Sequence, residues 1–68
     1  MELKAVKALN LGDGFFSVVG EIYTVFENDP NLKEKRVELE CTFGLNVGMI
    51  VEVSRFNISE CFEVVSQK

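Results

Sequence analysis

The residue types that usually carry catalysis are scarce in this chain of 68 residues. Histidine is absent, so neither a Ser-His nor a Cys-His nucleophile pair can form within one chain, and the usual proton shuttle of neutral pH is missing. Two cysteines without histidine do not resemble a zinc site. We therefore expect the protein not to be an enzyme, and we expect no catalytic residue, metal site or cofactor.

The two cysteines, Cys41 and Cys61, are expected to be structural thiols. Cys41 falls on the inward register of a predicted strand, where a thiol behaves as a small apolar side chain. Cys61 falls on the outward register of the last predicted strand beside Glu60 and Glu63, whose negative charge disfavours a thiolate. Because the two side chains are not expected on one face, we expect no disulfide between them.

Basic residues are few and form one cluster. Seven Lys and Arg stand against 11 Asp and Glu, which gives a net charge of -4, whereas a phosphate backbone is held chiefly by Lys and Arg. The cluster consists of Lys33, Lys35 and Arg36, and it can serve as a phosphate-facing patch with Tyr23 or Phe26 as a stacking platform. We prefer the interpretation that it neutralises acidic residues at a hairpin tip, so we expect nucleic acid not to be the partner.

The acidic residues follow a pattern that is relevant to binding. The carboxylates expected on the outward faces of strands are Glu38, Glu40, Glu52 and Glu63. Carboxylates spaced along a rigid sheet can imitate the phosphate line of a nucleic acid and attract a basic protein. The plainer interpretation is that a soluble β-protein places charges on its wet face.

Alternation of apolar and polar residues predicts the strands that position these groups. It is strict over Arg36–Phe43, and it recurs over residues 49–54, directly after Gly48. A period of two residues is typical of a strand with one face in the core and the other in water. The residues expected to face the core are Val37, Leu39, Cys41, Phe43, Met49, Val51 and Val53.

Two strands are expected earlier in the chain. Residues 21–26 are almost wholly β-branched or aromatic, and they end at a turn over residues 28–31 that makes a long hairpin with the next strand. Residues 2–9 fit a strand with a bulge, although the spacing of their apolar residues also fits a short helix.

The end of the chain supplies the fifth strand. Residues 61–65 are expected to be this strand, with Phe62 and Val64 inward, and residues 56–59 before it are expected to be one tight turn. Five short strands imply an all-β fold. Because a closed sheet has no open edges, we expect a small five-stranded barrel that comprises residues 1–68 as a single domain. The alternative is an α+β fold with a short N-terminal helix on an antiparallel sheet.

The order of parts also resembles a known family. An opening strand and loop precede a Gly-x-x-Tyr-x-Val strand, and a Phe-Glu-x-Val strand follows a tight turn near the end. These motifs stand at Gly20, Tyr23 and Val25, and at Phe62, Glu63 and Val65. The chain thereby resembles the small stand-alone SH3-like barrels of bacteriophage and bacterial proteins, which implies a binding module. It has no Trp and no paired-tyrosine loop, so the resemblance does not extend to the recognition of Pro-rich peptides.

The loop before the second strand carries the adjacent aromatic residues Phe15 and Phe16. They are expected either to anchor a partner or to plug the end of the barrel, and Tyr23 is a further candidate for partner binding. The small size, the lack of catalytic residue types, the negative charge and this loop predict a non-enzymatic protein-binding module that docks on a host protein and modulates or inhibits it, and the family resemblance implies that the module is phage-encoded. The alternatives are an acidic nucleic-acid mimic, a small nucleic-acid-binding barrel, and a self-assembling component such as a homodimer.

The sequence also favours a location. The first residues lack a basic segment followed by an apolar block, and no apolar run approaches the roughly 20 residues that span a bilayer. We therefore expect a cytoplasmic protein without membrane contact, found in the host cytoplasm if the chain is phage-encoded.

Overall fold

The computed structural model describes residues 1–12, 14–25 and 36–66. Five antiparallel strands form one sheet in the order β6-β5-β4-β1-β7, and β2 and β3 form a separate two-stranded sheet. The fold is therefore mostly β with one short helix. The elements are β1 (Glu2–Ala5), β2 (Asn10–Gly12), β3 (Phe15–Phe16), β4 (Ile22–Val25), β5 (Arg36–Phe43), β6 (Ile50–Ser54), α1 (Arg55–Cys61) and β7 (Phe62–Ser66).

The alternation in β5 and β6 folds as expected. Leu39 is paired with Val51, and Val37 with Val53, and all four side chains are buried. Successive side chains of a strand point to opposite faces, so each strand contributes one apolar row to the core. Cys41 continues the row of β5 and is buried, which confirms its inward position.

Phe43, the last residue of β5, was expected to face the core, and this prediction is wrong. Its side chain is 65% exposed. Tyr23 of β4 is paired with Cys41, but the preceding Ile22 is paired with Phe43, so Thr42 is an extra residue on β5 at this bulge. An extra residue interrupts the two-residue alternation, and Thr42 and Phe43 are both exposed.

The N-terminal segment forms a strand over Glu2–Ala5, with Leu3 and Ala5 buried, and β4 lies between β1 and β5 as the centre of the sheet. The turn expected over residues 28–31 lies outside the described residues, as do Phe26, Lys33 and Lys35. The described core consists of Leu3, Ala5, Tyr23, Val37, Leu39, Cys41, Val51, Val53, Cys61 and Phe62.

The tight turn expected over residues 56–59 is wrong, because this segment belongs to helix α1. Ser54 is the N-cap, and its Oγ accepts a hydrogen bond of 3.1 Å from the backbone N–H of Asn57. Such a cap satisfies one of the free N–H groups of the first turn and allows a short helix to begin directly after a strand. Cys61, expected outward on a strand, is the last residue of α1 and is buried.

The last strand is paired with β1 and lies at the edge of the sheet. Phe62 is buried, and its ring meets that of Tyr23 edge to face, with the ring centroids 5.4 Å apart. Val64 is paired with the buried Leu3 and so lies on the expected side of the strand, but its side chain is 50% exposed and does not belong to the core. Helix α1 joins the two outer strands, β6 and β7, and contacts both.

Candidate protein-docking surface

A buried carboxylate lies where the connection from β1 to β4 meets the turn between β5 and β6. Glu21 directly precedes β4, and only 2% of it is exposed. Its Oε1 accepts hydrogen bonds from the Val18 N–H at 2.7 Å and from the Tyr23 hydroxyl at 2.8 Å. The Asn46 N–H donates to Oε2 at 2.7 Å, and the Asn46 Nδ2 donates to Oε1 at 3.1 Å. Charge-assisted bonds of this kind offset the cost of burying a charge.

The environment of Glu21 keeps it ionised and keeps its neighbours protonated. Burial alone raises the pKa of the carboxyl, but the hydrogen bonds from Val18, Asn46 and Tyr23 outweigh it, and the pKa lies below its ordinary value of 4.5. Burial, together with the bond to Glu21, raises the pKa of the Tyr23 hydroxyl. Burial likewise raises the pKa of the Cys41 thiol, whose Sγ lies 3.7 Å from Glu21 Oε2. Cys41 is therefore an inert thiol.

The β5–β6 turn approaches Glu21 so closely that position 44 needs glycine. Gly44 has a φ of +125°, and a Cβ added there would clash with Cγ of Glu21 and lie 2.8 Å from its Oε2. Two residues later, the side chain of Asn46 also donates to the carbonyl oxygen of Phe16 at 2.8 Å. The turn is thus attached to Glu21 and to the loop that carries Phe16.

A second buried polar residue fixes the other side of this loop. Ser17 is 1% exposed, its N–H donates to the Leu9 carbonyl at 2.8 Å, and its Oγ accepts from the Leu9 N–H at 3.0 Å. The Gly20 N–H donates to the Ala5 carbonyl at 2.8 Å. The sequence analysis did not identify Ser17 or Glu21, although Glu21 is the one charged residue in the apolar stretch from Phe15 to Phe26.

The two segments that Glu21 joins carry exposed apolar side chains and no ionisable group. Residues 14–20 and 42–51 contain no Asp, Glu, Lys, Arg, Cys or Tyr. Their hydrogen bonds to Glu21 and to each other hold them side by side. We use the name apolar loop surface for the exposed side chains of Phe15, Phe16, Val18, Val19, Phe43, Leu45 and Val47.

The aromatic residues expected at a binding site have different surroundings. Phe15 and Phe16 are about half exposed and belong to the apolar loop surface. Tyr23 is fully buried, so a partner has no access to its ring, and its hydroxyl is bonded to Glu21. The expectation that Tyr23 is a stacking platform or a partner contact is therefore wrong, because its inward register and its hydroxyl donor place it in the core.

The structure brings together three of the four expected carboxylates. Glu38 and Glu52 are exposed and directly opposite each other on β5 and β6, and Glu40 lies on the same side of β5. Arg36 Nη1 lies 3.8 Å from Glu52 Oε1 in an exposed ion pair. Glu63 lies on β7, which is separated from β5 by two other strands, so it does not join the other three.

Within the described part of the chain, no three Cys, Asp or Glu side chains are close enough to hold a metal ion. The helix described there lacks the length and apolar character needed to cross a membrane. Comparison of the chain with protein-family models, with curated proteins and with solved structures gives no significant match.

Proposed function

We propose that this chain is a non-enzymatic protein-binding module that docks through the apolar loop surface. The observation that carries the proposal is the set of large apolar side chains exposed on two uncharged segments, which a buried carboxylate holds side by side. Exposed apolar patches of small soluble proteins commonly mark interaction sites. A surface that is ordered before binding also loses less conformational entropy when the partner docks.

The charge distribution favours a partner with basic groups next to an apolar contact. Glu38, Glu40 and Glu52 lie on the two strands whose turn carries Leu45 and Val47, and the whole chain has a net charge of -4. A basic partner would be attracted to this side of the molecule, and complementary charge speeds association. Proteins that bind DNA or RNA through basic surfaces are partners of this kind. For such a partner, the carboxylates of the chain would act as a mimic of nucleic-acid phosphates.

The proposal extends to fold family and biological role. The SH3-like barrel is proposed from the sequence resemblance alone; the strand order β6-β5-β4-β1-β7 and helix α1 belong to a mostly β fold with antiparallel sheets. The sequence resemblance to phage and bacterial barrels of this kind supports a phage-encoded modulator or inhibitor that docks on a host protein in the cytoplasm.

Site-specific crosslinking tests the surface. A photoreactive phenylalanine replaces Leu45 in one preparation and Phe56 in another, because both positions are exposed and lie at opposite ends of β6. After exposure to cell extract, the partner captured at position 45 is purified, and its Kd is measured for the wild type, Leu45→Glu and Phe56→Glu. We expect Leu45→Glu to weaken binding at least tenfold, and Phe56→Glu to change it less than twofold.

Three results would contradict the proposal. The first is a purified partner that binds Leu45→Glu as tightly as the wild type. The second is crosslinking that is stronger from position 56 than from position 45. The third is a wild-type dimer in sedimentation that Leu45→Glu converts to a monomer, because the surface would then be covered by a second copy of the chain.

A further inference from the structure

We propose that Glu21 is a positioning residue for the apolar loop surface: its carboxylate latches residues 14–20 onto the turn 44–48 alongside the bond from Asn46 to the Phe16 carbonyl, and protonation of the carboxylate loosens the two segments. The importance of this latch for binding rests on the proposed function. Its existence can be tested on the isolated protein without any partner.

The latch consists of donors from both sides of one carboxylate. Val18 supplies a backbone N–H from the first segment, and Asn46 supplies a backbone N–H and a side-chain amide from the second. Glu21 itself is held in place by its own backbone, since its carbonyl accepts from the Ala5 N–H at 2.8 Å. The carboxylate is therefore a bridge between segments that are more than 20 residues apart in the chain.

A change in charge at Glu21 alters this bridge directly. Protonation removes the charge and turns one carboxylate oxygen into a hydroxyl, which is a donor and a weaker acceptor, so the bonds from the N–H groups of Val18 and Asn46 lose their charge assistance. The bonds of Val18 and Asn46 to Glu21 are partly buried, so weakening them is costly, and the segment that carries the affected N–H is expected to move toward water.

The other ionisable groups around the carboxylate do not titrate in acid. Tyr23 on β4 and Cys41 on β5 face it, and both are protonated in the acid range. The two latched segments contain no ionisable residue, and Lys4 of β1 and Lys7, two residues after β1 ends, are both exposed. Of Glu21, Tyr23 and Cys41, Glu21 is therefore the residue whose charge changes as the pH falls.

The sign of the pH dependence follows from the lowered pKa of Glu21. The latch is complete above the ordinary carboxyl value of 4.5, and it is lost as the pH falls through the lower pKa of the folded protein. Opening of the two segments is therefore expected in acid and not near neutral pH.

Amide hydrogen exchange measured by NMR tests the latch. We expect the protection factors of the Val18 and Asn46 amides to fall at least tenfold once the pH is low enough to protonate Glu21, which its carboxyl carbon shift reports, while the amides of the β4–β5 ladder change less than twofold. In Glu21→Gln, the same two amides should be poorly protected already at pH 7, without further change in acid. If this variant does not fold, the wild-type titration decides the question.

Two results would overturn the latch. In one, the ladder amides lose protection together with Val18 and Asn46, which would assign Glu21 a role in global stability. In the other, the two amides of the wild type stay protected after the carboxyl carbon shift shows that Glu21 is protonated. Either result leaves the crosslinking test of the docking surface unaffected, so a failure of the latch is distinguishable from a failure of the proposed function.

Discussion

At the scale of single residues, the burial of the Glu21 charge depends on each of its donors. Tyr23→Phe removes the hydroxyl donor and leaves the ring that packs on Phe62. We expect it to lower the free energy of unfolding by about 1.5–3 kcal/mol, the usual range for a hydrogen bond to a charged group. Urea denaturation at pH 7 measures the change.

Thr42→Val is the control for this substitution, because its exposed hydroxyl makes only a long bond of 3.4 Å to the Ile22 carbonyl. It should change the free energy of unfolding by less than about 0.5 kcal/mol. Equal losses in the two variants would show that the Tyr23 hydroxyl has no special role at Glu21.

Two glycines of the β5–β6 turn form a matched pair at the same scale. Both have positive φ, but an added Cβ meets nothing within 4 Å at Gly48, whereas at Gly44 it meets the Glu21 side chain. We expect Gly48→Ala to destabilise the fold by about 1–2 kcal/mol through backbone strain alone. Gly44→Ala should cost at least about 1 kcal/mol more, because overpacking is added to the same strain. Equal unfolding free energies for the two variants in urea would contradict the close contact between the turn and Glu21.

At the scale of elements, the short helix α1 depends on its N-cap. Ser54→Ala removes the acceptor of the Asn57 N–H and should lower the free energy of unfolding by about 1 kcal/mol. Ser59→Ala is the control, since Ser59 is an exposed helical residue whose hydroxyl donates to the Phe56 carbonyl within the same helix. It should change stability by less than about 0.5 kcal/mol, because alanine is a better helix former than serine. A larger loss for Ser59→Ala than for Ser54→Ala in thermal unfolding would contradict the cap.

The elements also show what sequence patterns can predict here. β5 and β6 were predictable because a half-buried strand requires a two-residue period. The same reasoning failed at Phe43, where a bulge interrupts the period, and at residues 56–59, where a capped helix was interpreted as a turn. The hydrogen bonds between Glu21 and Asn46 could not be predicted from local sequence patterns, because the two residues are 25 positions apart in the chain. The one local indication was a single carboxylate in an apolar stretch.

At the scale of the whole molecule, excess negative charge opposes folding. Glu38 stands directly opposite Glu52, and like charges in that position are destabilising. Glu38→Lys should therefore raise the free energy of unfolding by about 0.5 kcal/mol at low salt, and this gain should shrink in 0.5 M NaCl. Glu60→Lys on α1 makes the same change of charge away from this pair and is the control in urea denaturation. An equal gain in both variants would show that net charge matters and the pair does not.

The central claim is that the two uncharged segments joined by Glu21 form the surface that a partner contacts. The most direct test is an NMR titration of the isotope-labelled wild type with the purified partner, in which each backbone amide is followed. The account predicts that the largest shifts fall within residues 14–20 and 43–48, with smaller shifts at Glu38 and Glu52. Shifts concentrated on α1 and β7, with the two segments unchanged, would contradict it.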